Sequence, residues 1–409
     1  MLPALTGLRA VAALMVVLFH YRRLGGDTFN SASMFGRVID AGFVGVSLFF
    51  VLSGFILTYT YIGDGAAMNV SWQKFWFARF ARVYPVYFVA LLLALPMFVD
   101  IAFIHPVGVM KLKDTLRIAL LSPLLLQGWM PKRAWMWNGP GWSLSAEAFF
   151  YLLFPILGVT AARWRTSRLL LAGIASVGLI LVPSLLYSIG ENRALGDVTA
   201  ATYGPWVAFL KFSPLVHFPQ FVIGVLTGML FLRFRRNVVG APCLGVLTFA
   251  IATLIVVVLT LSYRVPYLLL QGGVLAPLFA ALVFCLAAGG GTVGFGLATR
   301  PLGVLGESSY ALYLIHMPLR WHLDRMLPTG AGDATPWVRL GVYVLAAIAL
   351  SMMIHAFIEV PARARLLVWY REREATFVHV ARIKAAGRTL ALVMTSDPRT
   401  AISIIRQAG

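Results

Sequence analysis

Several residues in this chain of 409 sit where a charge or a buried polar group is costly to keep, and each could do chemistry. Arg9 and His20 stand eleven residues apart in LTGLRAVAALMVVLFHY. On a helix that interval is three turns plus about 20°, with about 16.5 Å of rise, so both side chains share one stripe with a cation near one end and an imidazole near the other. An imidazole with an unperturbed pKa of about 6.5 can take a proton from a hydroxyl at neutral pH. The bland alternative is a snorkelling arginine and an interfacial histidine.

In WQKFWFARFARVYP, read as a loop, Arg79 and Arg82 follow Lys74 among aromatic residues. At i, i+3 the two arginines point the same way and could clamp phosphate groups, or serve only as anchors on the inner membrane face. Glu147 lies about one turn into a helix introduced by Pro140 and Gly141, which Ser143 could cap. Its structural role would be to hold an arginine or a loop amide, and its chemical role to orient or assist a histidine. His316 shares a helical face with Tyr313 and Ser309 in GESSYALYLIHMP, and aligned polar groups within a membrane need partners or water. Glu307, His355 and Glu359 complete the set, with His355 and Glu359 spaced for a local i, i+4 hydrogen bond. No zinc-type spacing is present, so no metal is expected.

The elements that must position these groups are membrane helices. The chain is 60% hydrophobic and 12% charged, against about 45–50% and about 25% in soluble domains. A water-soluble enzyme is excluded. Apolar stretches predict an all-α polytopic bundle of about ten spanning helices near 4–22, 41–62, 83–104, 143–160, 168–189, 209–232, 242–263, 267–289, 301–322 and 337–360. The run 115–129, broken by Pro123 and flanked by cations, reads as re-entrant or interfacial. The segment from the N-terminus to Tyr21 lacks the basic region and cleavage pattern of a secretion signal, and is read as a retained first helix.

With the N-terminus inside, nineteen of the 34 Lys and Arg fall in inner segments and fourteen in outer ones, where Asp27, Asp40, Asp114, Glu191, Asp197, Asp324 and Asp333 also fall. Both termini are therefore expected in the cytoplasm. The net charge of +19 points to anionic membrane lipids rather than nucleic acid, because most cations sit in short loops between apolar runs. The expected division is a transmembrane domain at 1–360 and a basic cytoplasmic tail at 361–409. Cys243 and Cys285, both inside apolar runs, are read as packing residues. No P-loop or dinucleotide glycine pattern supports nucleotide-driven transport.

Taken in order, these motifs resemble the acyltransferase-3 family of integral membrane O-acyltransferases. The resemblance rests on the Arg9 and His20 spacing, GVSLFFVLSGF at 45–55, Arg79 with Arg82, WSLSAEAFFYLLFP at 142–155, SYALYLIHMP at 309–318 and EVPAR at 359–363. It implies transfer of an acyl group from cytoplasmic acyl-coenzyme A, acetyl-CoA above all, to a hydroxyl on a carbohydrate or glycolipid acceptor, in a multi-pass protein of the bacterial inner membrane. On that resemblance His20, Glu147 and His316 form the expected catalytic set, with His20 as general base or as the carrier of an acyl-histidine. Arg9, Arg79 and Arg82 are expected to hold the donor, and Trp142, Ser143 and Tyr313 the acceptor. Some members carry a further esterase-like domain; a step performed by one would need a separate periplasmic partner.

Two other classes compete. A transporter of a small anionic or acylated molecule could use the same arginines as a funnel without covalent chemistry. A structural subunit of an export machine would leave the buried Arg, His and Glu without a task. The residues do not name the acceptor: exopolysaccharide and lipopolysaccharide sugars lead, with lipo-oligosaccharides, periplasmic glucans and macrolides open.

Overall fold

The computed structural model describes residues 2–23, 33–62, 67–104, 112–192, 194–326 and 336–374, and every named element among them is helical. Of the charges used for orientation, Asp27, Lys111, Arg193, Asp333 and those beyond Glu374 lie outside the described residues. By length and composition, eight of these helices could cross a membrane: 3–23, 42–61, 72–104, 139–162, 166–190, 205–238, 243–260 and 336–374. A ninth arises if Ala276–Ala287 and Gly291–Leu297, bent by 85°, are counted as one span.

Two helices meet at the centre. The first, α1 (Pro3–Arg23), packs along α14 (Arg300–Met326). At 27 residues α14 is long enough to span, but Glu307, Arg320, Asp324 and Arg325 dilute its apolar run, so it is absent from the apolar set. Close approach is bought with glycine: a Cβ at Gly306 would overlap the carbonyl of Thr6 on α1. The second axis pairs the helix at Gly45–Tyr61 (α3, after the short α2 at Met34–Asp40) with α9 (Pro214–Val238). There Gly54 faces the backbone of Phe221 and Val225, and Gly224 faces Val51. The small residues of 42–54 are thus mostly backbone contacts, except Ser53, which lines a cavity.

Several expectations need correction. Residues 72–82 are not a loop: Ser71 accepts from the Lys74 amide at 3.3 Å and caps α4 (Trp72–Val99), so Arg79 and Arg82 stand on a helix. The cations lowered the local hydropathy and hid it. The segment 115–129, read as re-entrant or interfacial, needs no such correction: it forms α5 (Leu112–Leu121) followed by short 3-10 turns, is not among the candidate spans, and at ten residues α5 rises about 15 Å, half a bilayer. The stretch 267–289 is broken into α11 (Tyr267–Gly272) and α12 (Ala276–Ala287), because Gly273 takes φ 100°. Cys285 is buried, but Cys243 is exposed on α10 (Pro242–Thr260), so only one of the pair packs inside the protein. At the far end, α15 (Pro336–Ile354) continues through a π-helical turn at His355–Glu359 and remains helical to residue 374. His355 Nδ1 and Glu359 Oε2 are 3.0 Å apart, the local pair that their spacing suggests.

Candidate functional site

Among the described residues, two sizeable cavities open in the bundle, of about 450 and 340 Å³. Val46 of α3 and Tyr313 of α14 line both.

The larger cavity collects Arg9 from α1, Ser53 from α3, and Arg79 and Arg82 from α4. From α6 (Trp142–Ala162) come Ser143, Glu147 and Tyr151, and from α14 come Tyr310 and Tyr313. Arg79 donates through Nη2 to the Tyr61 hydroxyl at 2.8 Å and lies over that ring, yet its buried Nε has no partner among the described residues. A buried, unsatisfied guanidinium N–H is costly, and a ligand oxygen would relieve it. Tyr310 donates to Val83 O at 2.8 Å, fixing α14 against the arginine-bearing turn of α4.

Glu147 accepts from the Ser53 and Tyr151 hydroxyls and faces Arg9 and Arg82. The expectation that it orients a histidine is therefore corrected: its neighbours are cations and hydroxyls of the larger cavity, and the histidines line up elsewhere. Ser143 does not cap α6 either, since its Oγ donates to Pro140 O at 3.0 Å and lies 2.8 Å from the Tyr313 hydroxyl. Glu307 is exposed and outside the site. Glu147→Gln keeps the shape while leaving Arg82 and Arg9 facing each other with only Glu359, on the Arg9 side, as counter-charge. Because breaking a buried charge cluster costs about 3–5 kcal/mol, a loss of folded protein on heating in detergent is expected. Unchanged melting would show that the carboxylate is not what holds the arginines.

The smaller cavity holds His20, with Phe19, Arg23, Phe43, Trp135, Trp142, Tyr203, Lys211 and Tyr267 among its walls. The α1–α14 packing brings His316 Nε2 within 3.2 Å of His20 Nδ1, across 296 residues of sequence. The hydrogen-bond network assigns the protons. His316 Nδ1 lies 2.6 Å from Tyr313 O and must donate to it, which makes its Nε2 an acceptor. His20 Nδ1 lies against that acceptor and against Val16 O at 2.9 Å, so it carries its own proton between two acceptors. His20 Nε2 is left with a lone pair on a ring that lines the cavity. Tyr343 donates to His316 O at 3.1 Å and Asn138 to Leu314 O at 3.1 Å, holding this turn of α14 in place.

Trp142 meets Phe212 edge-on and His217 at a tilt, and His217 is itself fixed between Lys211 O and the Gln220 side chain. Of the nine site residues expected from sequence, Arg9, Arg79, Arg82, Ser143 and Glu147 thus line the larger cavity, His20 and Trp142 the smaller, and Tyr313 both. His316 stands behind His20, fully buried. Sequence reasoning missed Tyr151, which its i, i+4 spacing from Glu147 could have flagged. It also missed Lys211, counted as an outer-loop charge although it lies inside the predicted span 209–232. Among the described residues no cluster of three or more His, Cys, Asp or Glu could hold a metal ion.

Residues 2–356 match the profile of a protein family described as an acyltransferase domain. The chain is 29% identical over 382 residues to acyltransferase MdmB of Streptomyces mycarofaciens, an alignment covering 88% of this chain and 91% of that protein. It is 26% identical over 397 residues to the putative peptidoglycan O-acetyltransferase YrhL of Bacillus subtilis, covering 92% of this chain and 57% of the relative. Against the peptidoglycan O-acetyltransferase OatA of Listeria monocytogenes it is 25% identical over 394 residues, covering 90% of this chain and 57% of the relative. The chain thus spans little more than half the length of the latter two. No solved structure matches it.

Proposed function

The chain belongs to the acyltransferase-3 family, and from that premise we propose that it is a membrane O-acyltransferase moving an acyl group, acetyl first among candidates, from acyl-coenzyme A to a hydroxyl of a surface or exported carbohydrate. The observation that supports this reading is the pair of cavities that share Val46 and Tyr313 as wall residues, one lined by three arginines and the other by His20. In this reading two substrates approach the shared wall from the two cavities.

In this reading the bilayer is crossed ten times, the eight apolar spans being joined by the bent pair and by α14. Both termini lie in the cytoplasm of a bacterial cell, and the larger cavity opens inward. Arg9, Arg79 and Arg82 hold the phosphates of the donor, and the pantetheine arm runs past Tyr313 toward His20. The acceptor sits in the smaller cavity. His20 Nε2 takes the proton of its hydroxyl as the oxygen attacks the thioester carbonyl. The carbon–sulfur bond then breaks, and the imidazolium returns the proton to the departing thiolate. His316 acts through His20 as a positioning residue, sharing with Val16 O the hydrogen bond from the Nδ1 proton and so anchoring the ring with Nε2 free as the base. The Tyr313 hydroxyl, 3.2 Å from Pro140 O and 2.8 Å from Ser143 Oγ, lines both cavities and turns from Pro140 O to donate to the carbonyl oxygen as it gains charge, while Ser143 keeps its own bond to Pro140 O. Anionic lipids neutralise the inner cations, and the residues from 361 onward form a basic tail there.

The test uses purified protein in detergent with acetyl-CoA and solubilised cell-envelope saccharide, following free thiol and, by mass spectrometry, ester gain. Thiol release that depends on the saccharide and appears as ester on it is the expected result. Flux of donor or product across reconstituted vesicles without ester formation would make the protein a transporter.

A further inference from the structure

The smaller cavity carries more positive charge than proton abstraction by His20 requires. Lys211, at the end of α8 (Pro205–Phe212), is only 3% exposed. Its Nζ donates to Ala200 O at 2.9 Å and Thr202 O at 2.7 Å, and lies 4.9 and 5.1 Å from the ring centres of Tyr203 and Tyr267. An ammonium has three protons, and two are used. Arg23 reaches the same carbonyl, Ala200 O, at 2.6 Å. Two cations therefore meet on one oxygen at the wall of a cavity, and among the described residues neither forms a salt bridge. The neighbouring Arg22, by contrast, is paired with Asp40 at 2.7 Å. Carbonyl dipoles and ring faces compensate a buried lysine only in part.

Around this charge the walls are broad aromatic faces, Trp135, Trp142, Tyr203 and Tyr267. Flat apolar walls with a few convergent polar groups are how a small-molecule site fixes a ligand, and a pyranose ring offers such walls its C–H face. The segment carrying Ala200 and Thr202 is itself stiffened by the turn in which Thr199 N donates to Thr202 Oγ1 at 2.9 Å.

We propose that this cavity takes an anionic acceptor, a saccharide bearing a carboxylate or phosphate, whose charged group is held by Lys211 and Arg23 while its ring lies among the four aromatic residues beside His20. The assignment rests on the transferase reading for the hydroxyl's fate, but not for binding. It is tested by calorimetric titration of the full chain in detergent, without any acyl donor, using glucose, glucuronic acid and glucose 6-phosphate as probes. At low salt one or both anionic probes should bind about tenfold or more tightly than glucose, with the preference shrinking as salt screens it. Which anion leads identifies the carboxylate or the phosphate as the recognised group. Lys211→Met and Arg23→Gln should erase the preference, and Lys211→Arg should keep it.

Equal affinity for all three probes, or no binding of any, would overturn the proposal. So would a Lys211→Met protein that loses glucose and the anions alike, since that is the signature of a mere strap on the 199–203 segment. Arg23, exposed at the mouth, provides the variant that folds if Lys211→Met does not. Lysine-dependent anion binding without thiol release from acetyl-CoA would sink the transferase reading and leave the cavity assignment standing. Thiol release that is indifferent to acceptor charge would do the reverse.

Discussion

Alanine at His20 is expected to lower acyl transfer by about 10²–10⁴-fold, the range that a positioned general base contributes, while protein level, membrane insertion and coenzyme A binding stay as they are. The separation of effects follows from the two cavities. His20 lines the smaller one and takes no part in the arginine cluster, so removing its ring leaves the donor's phosphate contacts whole. The ring is half-buried and its loss leaves one unpaired acceptor, His316 Nε2, behind it. That is a modest cost to stability beside the loss of the base.

His316→Ala gives a useful contrast. The His20 proton on Nδ1 would still have Val16 O as a partner, so the ring would keep its tautomer but lose half of its anchoring. A smaller fall than for His20→Ala is expected, with the donor's KM unmoved. Measurement is by saccharide-dependent thiol release at saturating acetyl-CoA, with coenzyme A titrated separately. Full activity in His20→Ala would remove the imidazole from the chemistry altogether.

Replacing Arg79 and Arg82 together by glutamine should weaken coenzyme A binding by about 100-fold or more. Hydrogen bonds to charged groups contribute about 1.5–3 kcal/mol each, and fork-shaped guanidinium contacts to phosphate are among the strong ones. The structure adds two reasons to expect an effect of that size. Arg79 Nε is buried without a partner among the described residues, and the three arginines of the larger cavity outnumber their two carboxylate neighbours, Glu147 in the cavity wall and Glu359 near Arg9. A polyanion fits that balance. Near-normal turnover at very high donor concentration is expected to survive, because neither arginine lines the cavity of His20. Calorimetry with coenzyme A and with its 3′-dephospho form separates the contacts. If affinity is unchanged in the double variant, the two arginines are topology anchors and no more.

Much of this protein was legible in its sequence. Composition alone demands a helical membrane bundle, because backbone groups in lipid must be satisfied within one helix or a closed barrel and the apolar runs have helical length. Spacing placed Arg9 and His20 on one stripe of α1, Arg79 beside Arg82, and Tyr313 one turn from His316, since a 3.6-residue period converts sequence intervals into faces. All of these groups line or adjoin the two cavities.

What no local period could supply were the relations between helices. The contact of His20 with His316 spans 296 residues and exists because Gly306 lets α14 approach the backbone of α1. The placement of Glu147 among arginines instead of histidines, the helical state of 72–82 and the burial of Lys211 were likewise decided by packing. A hydropathy window sees each residue's average cost in lipid, whereas tertiary contacts decide which costly groups find each other across the bundle.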